Sequence, residues 1–354
     1  MTLEYYITKT DGVIYSVTSP VIYGSYTPGV NYKTNINIAK TTNKGFELSL
    51  NTRNIIMRNF EWTTSMAFGR NKEQIDNLVG GTINNIQNGA YWLTLGEAVN
   101  SFRNYKLDGN WQIGEELDAA AFGRRPGDIK VNVPGLVKLA PGVFMREAAN
   151  GTKTYYYNVL ADAQKINPTL TAATNRYNYS SNDFQVLGHN SPDWSLGIQN
   201  TVTYKGIDLG IYAYFRWGQM INYVMPGWYQ PQSFAINASP SRTFPGYFNY
   251  WTPENPSNDF PVMNFNSPSS AAGFSGLTYL NGSFFKIKNI TLGYTMPSKL
   301  TRKALIQKLR VYATITNPYI YAKTHLIENY DPEMNGVLDY PLTKQMVAGL
   351  NITF

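Results

Sequence analysis

The sequence predicts an all-β protein: an antiparallel transmembrane β-barrel wall with long loops on one side. Three observations predict it. First, the last thirteen residues alternate without a break. Leu342, Lys344, Met346, Ala348, Leu350, Ile352 and Phe354 fall on one face, and Thr343, Gln345, Val347, Gly349, Asn351 and Thr353 on the other. Period-two alternation builds a strand with one apolar and one polar face, and about 9–11 tilted residues suffice to cross a bilayer. Second, 14% of residues are aromatic, with 27 Tyr, 17 Phe and 7 Trp, and only 15% are charged, against about a quarter in ordinary soluble chains. Third, the connections between strand-like segments alternate between long and short, as in barrels with long outer loops and short periplasmic turns.

The segments follow in order. Leu3, Tyr5 and Ile7 alternate with Glu4, Tyr6 and Thr8, and Val13 to Val17 continue past an expected bulge at Gly12, giving a strand over 2–17. Ser19 to Thr42, interrupted by Pro and Gly, reads as a loop. Phe46, Leu48 and Leu50 oppose Glu47, Ser49 and Asn51 in a strand over 44–54. A turn at Ile55 to Asn59 leads to a strand over 58–70, where Phe60, Trp62, Thr64, Met66 and Phe68 share a face, and the two make a hairpin. Residues 71–192, rich in Asn, Gly, Pro and charge, read as a large, partly structured outer loop with a short helix at Glu115 to Phe122.

Trp194, Leu196, Ile198, Val202 and Tyr204, with Asn200 as a polar exception, define a strand over 193–205. After the Lys205-Gly206 turn, 207–218 alternates Ile207, Leu209, Ile211, Ala213, Phe215 and Trp217 with Asp208, Gly210, Tyr212, Tyr214, Arg216 and Gly218. Arg216 points to a watery interior, since a charge buried without a partner is costly. A second large outer loop covers 219–282. In the strand over 284–296 the apolar parity shifts between Phe285, Ile287 and Ile290, Leu292, Tyr294, Met296, which predicts a β-bulge near Lys288 and Asn289. Pro297-Ser298 opens a basic helical turn reaching Lys308, with Ser298 as N-cap and Lys299, Arg302, Lys303 and Lys308 as a solvated periplasmic turn. A strand over 309–316, a loop from Asn317 to Pro341 and the strand over 342–354 complete eight strands in one domain over 1–354.

Composition narrows the function classes. The chain has no Cys and only His189 and His325, so disulfides and thiolate metal sites are excluded, and both His read as plain loop residues. The net charge of +7 is spread along the chain without a basic, aromatic-interleaved run, so no nucleic-acid partner is expected. No apolar stretch approaches the roughly 18 residues of a membrane helix. Met1-Thr-Leu-Glu-Tyr-Tyr6 lacks the basic and apolar regions of a signal peptide, so either the membrane reading is wrong or this chain is not a complete gene product.

With these residues in view, the chain resembles the C-terminal part of the SusC/RagA family of TonB-linked outer-membrane transporters. The resemblance rests on Asn43-Lys-Gly-Phe-Glu-Leu-Ser-Leu50, Leu107-Asp-Gly-Asn-Trp-Gln-Ile-Gly-Glu-Glu116, Pro126-Gly-Asp-Ile129, Trp251-Thr-Pro-Glu-Asn-Pro256, Ser283 to Pro297, Leu309-Arg-Val-Tyr312 and the terminal strand, in family order. It implies about eight C-terminal strands of a plugged barrel of about 22, the signal sequence, TonB box, plug and first fourteen or so strands lying outside this chain. It further implies glycan or peptide import across the outer membrane of Bacteroidota, with a SusD-like surface lipoprotein as lid and TonB acting through the absent N-terminal part. The acidic calcium-loop-like segment that often follows Pro-Gly-Asp is replaced by Lys130-Val-Asn-Val-Pro-Gly-Leu136, so no metal and no cofactor is carried over.

Candidate ligand or lid contacts are Trp228, Tyr229, Tyr247, Tyr250 and Trp251, whose rings could stack on sugars, touch the lid or pack the loop. Leu350, Ile352 and Phe354 resemble the barrel-assembly signal. Trp62, Trp194, Phe215 and Trp217 read as girdle residues facing outer-membrane lipid. Glu115-Glu116 and Asp331-Pro-Glu333 are the only carboxylate pairs worth testing for glycosidase chemistry. Nothing in the sequence raises a pKa there, so no catalytic residue is expected. The competing reading is a secreted or surface β-sheet carbohydrate-binding protein.

Overall fold

The computed structural model describes residues 1–18, 33–78, 85–88, 91–223, 249–262 and 274–354. Eight strands form one continuous antiparallel sheet in chain order. They are β1 (Thr2–Thr18), β2 (Lys33–Met57), β3 (Phe60–Leu78), β4 (Trp194–Tyr204), β5 (Ile207–Trp217), β6 (Phe284–Thr295), β7 (Lys308–Ala322) and β8 (Gln345–Thr353). This open meander is a partial barrel wall, with β1 and β8 as its free edges. No helix among the described residues is long and apolar enough to cross a membrane.

The registers carry one apolar face across the wall. Phe68 opposes Leu48 and Leu196, Leu196 opposes Phe215, Phe215 opposes Phe285, and Phe285 opposes Tyr321. Farther down, Leu209 opposes Leu292, Leu292 opposes Ala313, and Ala313 opposes Ala348. Leu292 and Leu350 remain 54% and 62% exposed, which in water would favour aggregation and in lipid is satisfied solvation. Near the long-loop rim, one ring per strand forms a ladder from β2 to β7: Phe46, Phe68, Trp194, Phe215, Phe285 and Tyr319. Successive centroids lie 6.2, 6.2, 6.5, 4.6 and 6.0 Å apart. Phe60 and Tyr204 (6.5 Å) mark the short-turn rim. Two aromatic rows flanking an apolar band are what membrane barrels place at their interfaces.

Asn200, the polar exception on this face, is satisfied. Its Oδ1 accepts from Trp62 Nε1 (3.1 Å) and Thr64 Oγ1 (2.7 Å), so the polar group on the apolar face is paired.

Several boundaries differ from the sequence reading. The strand expected over 44–54 runs from Lys33 to Met57, so 33–42 is strand and not loop, and the expected turn at Ile55 to Asn59 shrinks to Arg58-Asn59. The strand expected over 58–70 runs to Leu78, taking the first eight residues of the expected outer loop. These extensions stand beyond the aromatic ladder, where one face is polar and the other buries, among the described residues, only Ala39, Ile75 and Leu78 against Leu93, too few apolar residues to show alternation. The strand expected over 309–316 continues to Ala322 past Asn317 (φ 53°) and Pro318. The pairing jumps from Thr316–Asn289 to Tyr319–Ile287 there, and a bulge tolerates proline because no ladder donor is needed. The terminal strand begins at Gln345, three residues later than expected. The helical turn after Pro297 ends at Ala304, well before Lys308, and its N-cap is Pro297, not Ser298, with no side-chain cap bond. The bulges expected at Gly12 and at Lys288 and Asn289 are present, as is the helix, at Glu116–Ala121. Lys205 (φ 47°) and Gly206 (φ 89°) make a tight hairpin turn, and the left-handed conformation favours glycine at the second position.

Among the described residues of 71–192 lie small sheets of four- and five-residue strands and two short α-helices, with one core around Trp111, Phe122, Phe144 and Tyr177. Strands this short display no usable periodicity, which is why the sequence reads as loop.

Candidate functional site

Three of the family-like stretches, far apart in sequence, meet on the long-loop side. Trp111 and the Pro126-Gly127-Asp128 turn are tied by backbone bonds, Trp111 N to Asp128 O (2.9 Å) and Gly127 N to Trp111 O (2.7 Å). The segment 249–262 docks on them. Asn110 Nδ2 donates to Ser257 O and Phe260 O (both 2.9 Å), Trp251 Nε1 donates to Gln112 Oε1 (2.9 Å), and Val262 N donates to Gly127 O (2.7 Å). Gly127 (φ 90°) is required: a Cβ there would lie 2.6 Å from the Trp251 ring.

Trp251 is 4% exposed and Tyr250 41% exposed, so of this adjacent pair only Tyr250 presents its ring to solvent. Trp228, Tyr229 and Tyr247 lie outside the described residues. Leu350, Ile352 and Phe354 lie exposed on or just past the edge strand β8. Truncating Trp251→Ala should cost about 3–5 kcal/mol and loosen 249–262 from its dock. Hydrogen exchange confined to that segment and to Asn110–Gln112 is the check, and unchanged protection would refute the anchor.

The second assembly is on the inner face. The bulge in β6 leaves Ile287 and Ile290 on the apolar face while Lys286 and Asn289 face inward against Tyr214 and Tyr212. Residues 323–344 fold down onto this surface. Lys286, 1% exposed, donates to Asp331 (2.5 Å) and Glu333 (2.9 Å), and Lys288 pairs with Glu333. Asn190 and Asn335 exchange amide bonds (2.6 and 3.2 Å), and Tyr330 Oη donates to Val337 O (2.9 Å). His325 Nε2 meets Asp259 (3.0 Å), joining this loop to the docked segment, while His189 Nδ1 lies 2.6 Å from Ser191 O. Under the loop opens a cleft of 720 Å³ lined in part by Tyr212, Tyr214, Lys288, Asn289, Thr316 and Asn317. Lys288 sits 5.5 Å from the Tyr214 ring.

The Glu333 carboxylate is favoured as the anion. Burial raises the Glu333 pKa, but hydrogen bonds from Lys288 and Lys286 outweigh it and hold the group below its usual 4.5. Glu116 is also lowered, chiefly by the Gly114 N–H, and Glu115 accepts from Lys130 (2.7 Å). A general acid needs the opposite shift. Because the folded pKa of Glu333 is depressed, its contribution to seating the loop is complete above about pH 4.5 and is lost as pH falls through the folded value. Proteolytic susceptibility of 323–344 should therefore stay flat from pH 7 to 5 and rise only below about 4.5; a rise near pH 6 would contradict this assignment. Burial and the neighbouring Asp331 and Asp339 push the Tyr330 phenol up to about 12.

The sequence reading missed Lys286, Lys288, Asn289, Tyr212 and Tyr214 as a group. Their inward parity was legible, but their convergence with Asp331 and Glu333 across 45–47 residues was not.

No family model matches the chain. It is similar to TonB-dependent receptor P26 of Formosa agariphila, 28% identical over 373 residues covering 99% of this chain and 32% of the relative. It is also similar to TonB-dependent receptor SusC of Bacteroides thetaiotaomicron, 24% identical over 366 residues, 99% of this chain and 30% of the relative. Among solved structures, that of the RagAB peptide transporter superposes with a TM-score of 0.68 at 22% identity, covering 99% of this chain and 33% of that one, which bears on the fold alone. The chain thus spans about a third of the length of the relatives it matches. The chain is similar from end to end to TonB-dependent receptors, and its eight-stranded antiparallel wall of one apolar and one polar face matches part of their β-barrel.

Proposed function

We propose that this chain is one wall of an outer-membrane importer for glycans or peptides. The observation that carries the reading is the two-faced sheet: a continuous apolar band framed by aromatic rows outside, and a polar, ion-paired surface with a 720 Å³ cleft inside. The long-loop rim then faces the medium and the short turns face the periplasm. A SusD-like lipoprotein covers the long-loop side, with exposed Tyr250 and, outside the described residues, Trp228, Tyr229 and Tyr247 as lid or ligand contacts, and TonB acts through another part of the receptor.

Uptake of labelled oligosaccharides and oligopeptides by cells with and without the receptor tests this. Loss of uptake of one class on deletion, with the lipoprotein co-purifying, supports the reading; unchanged uptake of both, or recovery of the chain in the soluble fraction, sinks it. Leu350, Ile352 and Phe354 are the assembly signal in this proposal. Deleting Phe354 should lower the receptor level in the outer membrane several-fold without changing synthesis, and a wild-type level would remove that role.

A further inference from the structure

We propose that the outward face of β1–β3, just beyond the aromatic ladder, binds the phosphate-bearing headgroup of an outer-leaflet glycolipid. The inference rests on the membrane reading above. In the β2–β3 register Leu48 opposes Phe68, Phe46 opposes Arg70, and Lys44 opposes Lys72; in β1–β2, Tyr5 opposes Phe46, Ile7 opposes Lys44, Lys9 opposes Thr42 and Asp11 opposes Lys40. Directly opposed residues share a face, and steps of two along a strand keep it. Lys9, Lys40, Lys44, Arg70 and Lys72 therefore stand on the same side as Phe46 and Phe68, whose rings are 6.2 Å apart. All five are exposed.

Two features make this more than a solvated surface. Lys40 is paired with Asp11 (2.7 Å) and Asp76 accepts from Thr42 (2.5 Å), whereas Lys9, Lys44, Arg70 and Lys72 have no carboxylate partner among the described residues. Like charges placed opposite one another, as Lys44 and Lys72 are, are destabilising unless an anion bridges them. Moreover, while Asp11 and Asp76 on this face are engaged by Lys40 and Thr42, the glutamates of the same strands stand on the other one: Glu4 opposes Glu47, and Glu73 opposes Asn43, on the inward parity. Sequence alternation has thus left those four cations without a carboxylate partner outside and put the glutamates inside.

Depth and chemistry name the ligand. Lys44 and Arg70 stand two residues beyond the rings of Phe46 and Phe68, and Lys72 four. At about 3.3 Å per residue on strands tilted about 40°, that is roughly 5–10 Å past the hydrocarbon edge, the depth of the headgroup layer. An arginine fork flanked by lysines suits phosphate. Tyr5 and Phe46, exposed one step below Lys44, and Ile7 beside it offer apolar surface to the acyl chains of the same molecule, which a soluble anion would leave unused. A strand added at the β1 edge would bond to its backbone and leave this face open.

The receptor containing this chain is reconstituted into nanodiscs with phosphorylated lipid A, or with the same lipid A after enzymatic dephosphorylation. Retained lipid is then counted by native mass spectrometry, with and without millimolar inorganic phosphate. Wild type should retain the phosphorylated lipid, and Lys44→Gln/Arg70→Gln/Lys72→Gln should retain at least about tenfold less, with no fall in melting point in the dephosphorylated lipid, because the substitutions relieve repulsion. Equal retention of the two lipids, no loss in the triple variant, or displacement by inorganic phosphate overturns the site while leaving the membrane reading intact. Failure of the receptor to enter nanodiscs overturns both.

Discussion

Asp331→Asn/Glu333→Gln, made together, should release residues 323–344 from the inner wall. Lys286 is 1% exposed and its ammonium bonds to both carboxylates, at 2.5 and 2.9 Å. Removing the anions leaves a buried cation with nothing to compensate it, which costs about 3–5 kcal/mol. The system escapes by lifting the loop and letting water in, so exchange of the 323–344 amides should quicken by about two orders of magnitude or more while β5–β7 stay protected. Adding Lys286→Met should recover most of that loss, because the apolar stem fills the same space without a charge. If the double variant exchanges like wild type, or if Lys286→Met makes matters worse, the cluster is not what seats the loop.

The second large effect concerns the two faces. Ile211 lies midway between the aromatic rows on the apolar face, opposite Asn200 and Ile290; Thr201, one rung away, opposes Gly210 and Thr63 on the polar face. Ile211→Lys places a charge in mid-bilayer and should destabilise the folded receptor by about 2–4 kcal/mol. Thr201→Lys enters the watery interior and should shift stability by under about 0.5 kcal/mol. Denaturant titration of receptors refolded into lipid vesicles distinguishes them. Equal effects from the two substitutions would mean that the apolar band does not meet lipid.

The alternation that built this expectation is legible wherever one face of the sheet is apolar and the other polar. Trp194 to Trp217 reads almost residue for residue, and the parity shift at Lys288 and Asn289 foretells a bulge because an outward apolar residue must stay outward. The reading weakens where that asymmetry ends. Lys33 to Thr42 and Asn71 to Leu78 are strands whose few buried residues, Ala39, Ile75 and Leu78, pack against the distant Leu93, so no local alternation distinguishes them from loop. The Ser298 N-cap failed for a local reason: Pro297, at φ −58° and ψ 134°, takes the cap position itself.

The sequence by itself determined the strand order, the outward and inward faces and the alternation of long and short connections, because these follow from period two and from the insolubility of unpaired polar groups in lipid. Only the tertiary structure decided which distant residues share a site. Trp251 closes on Gly127, and Asp331 and Glu333 close on Lys286 and Lys288, across stretches whose intervening residues carry no record of the contact. Such meetings depend on loop paths, and a loop path is set by the packing and pairing it finds at its end.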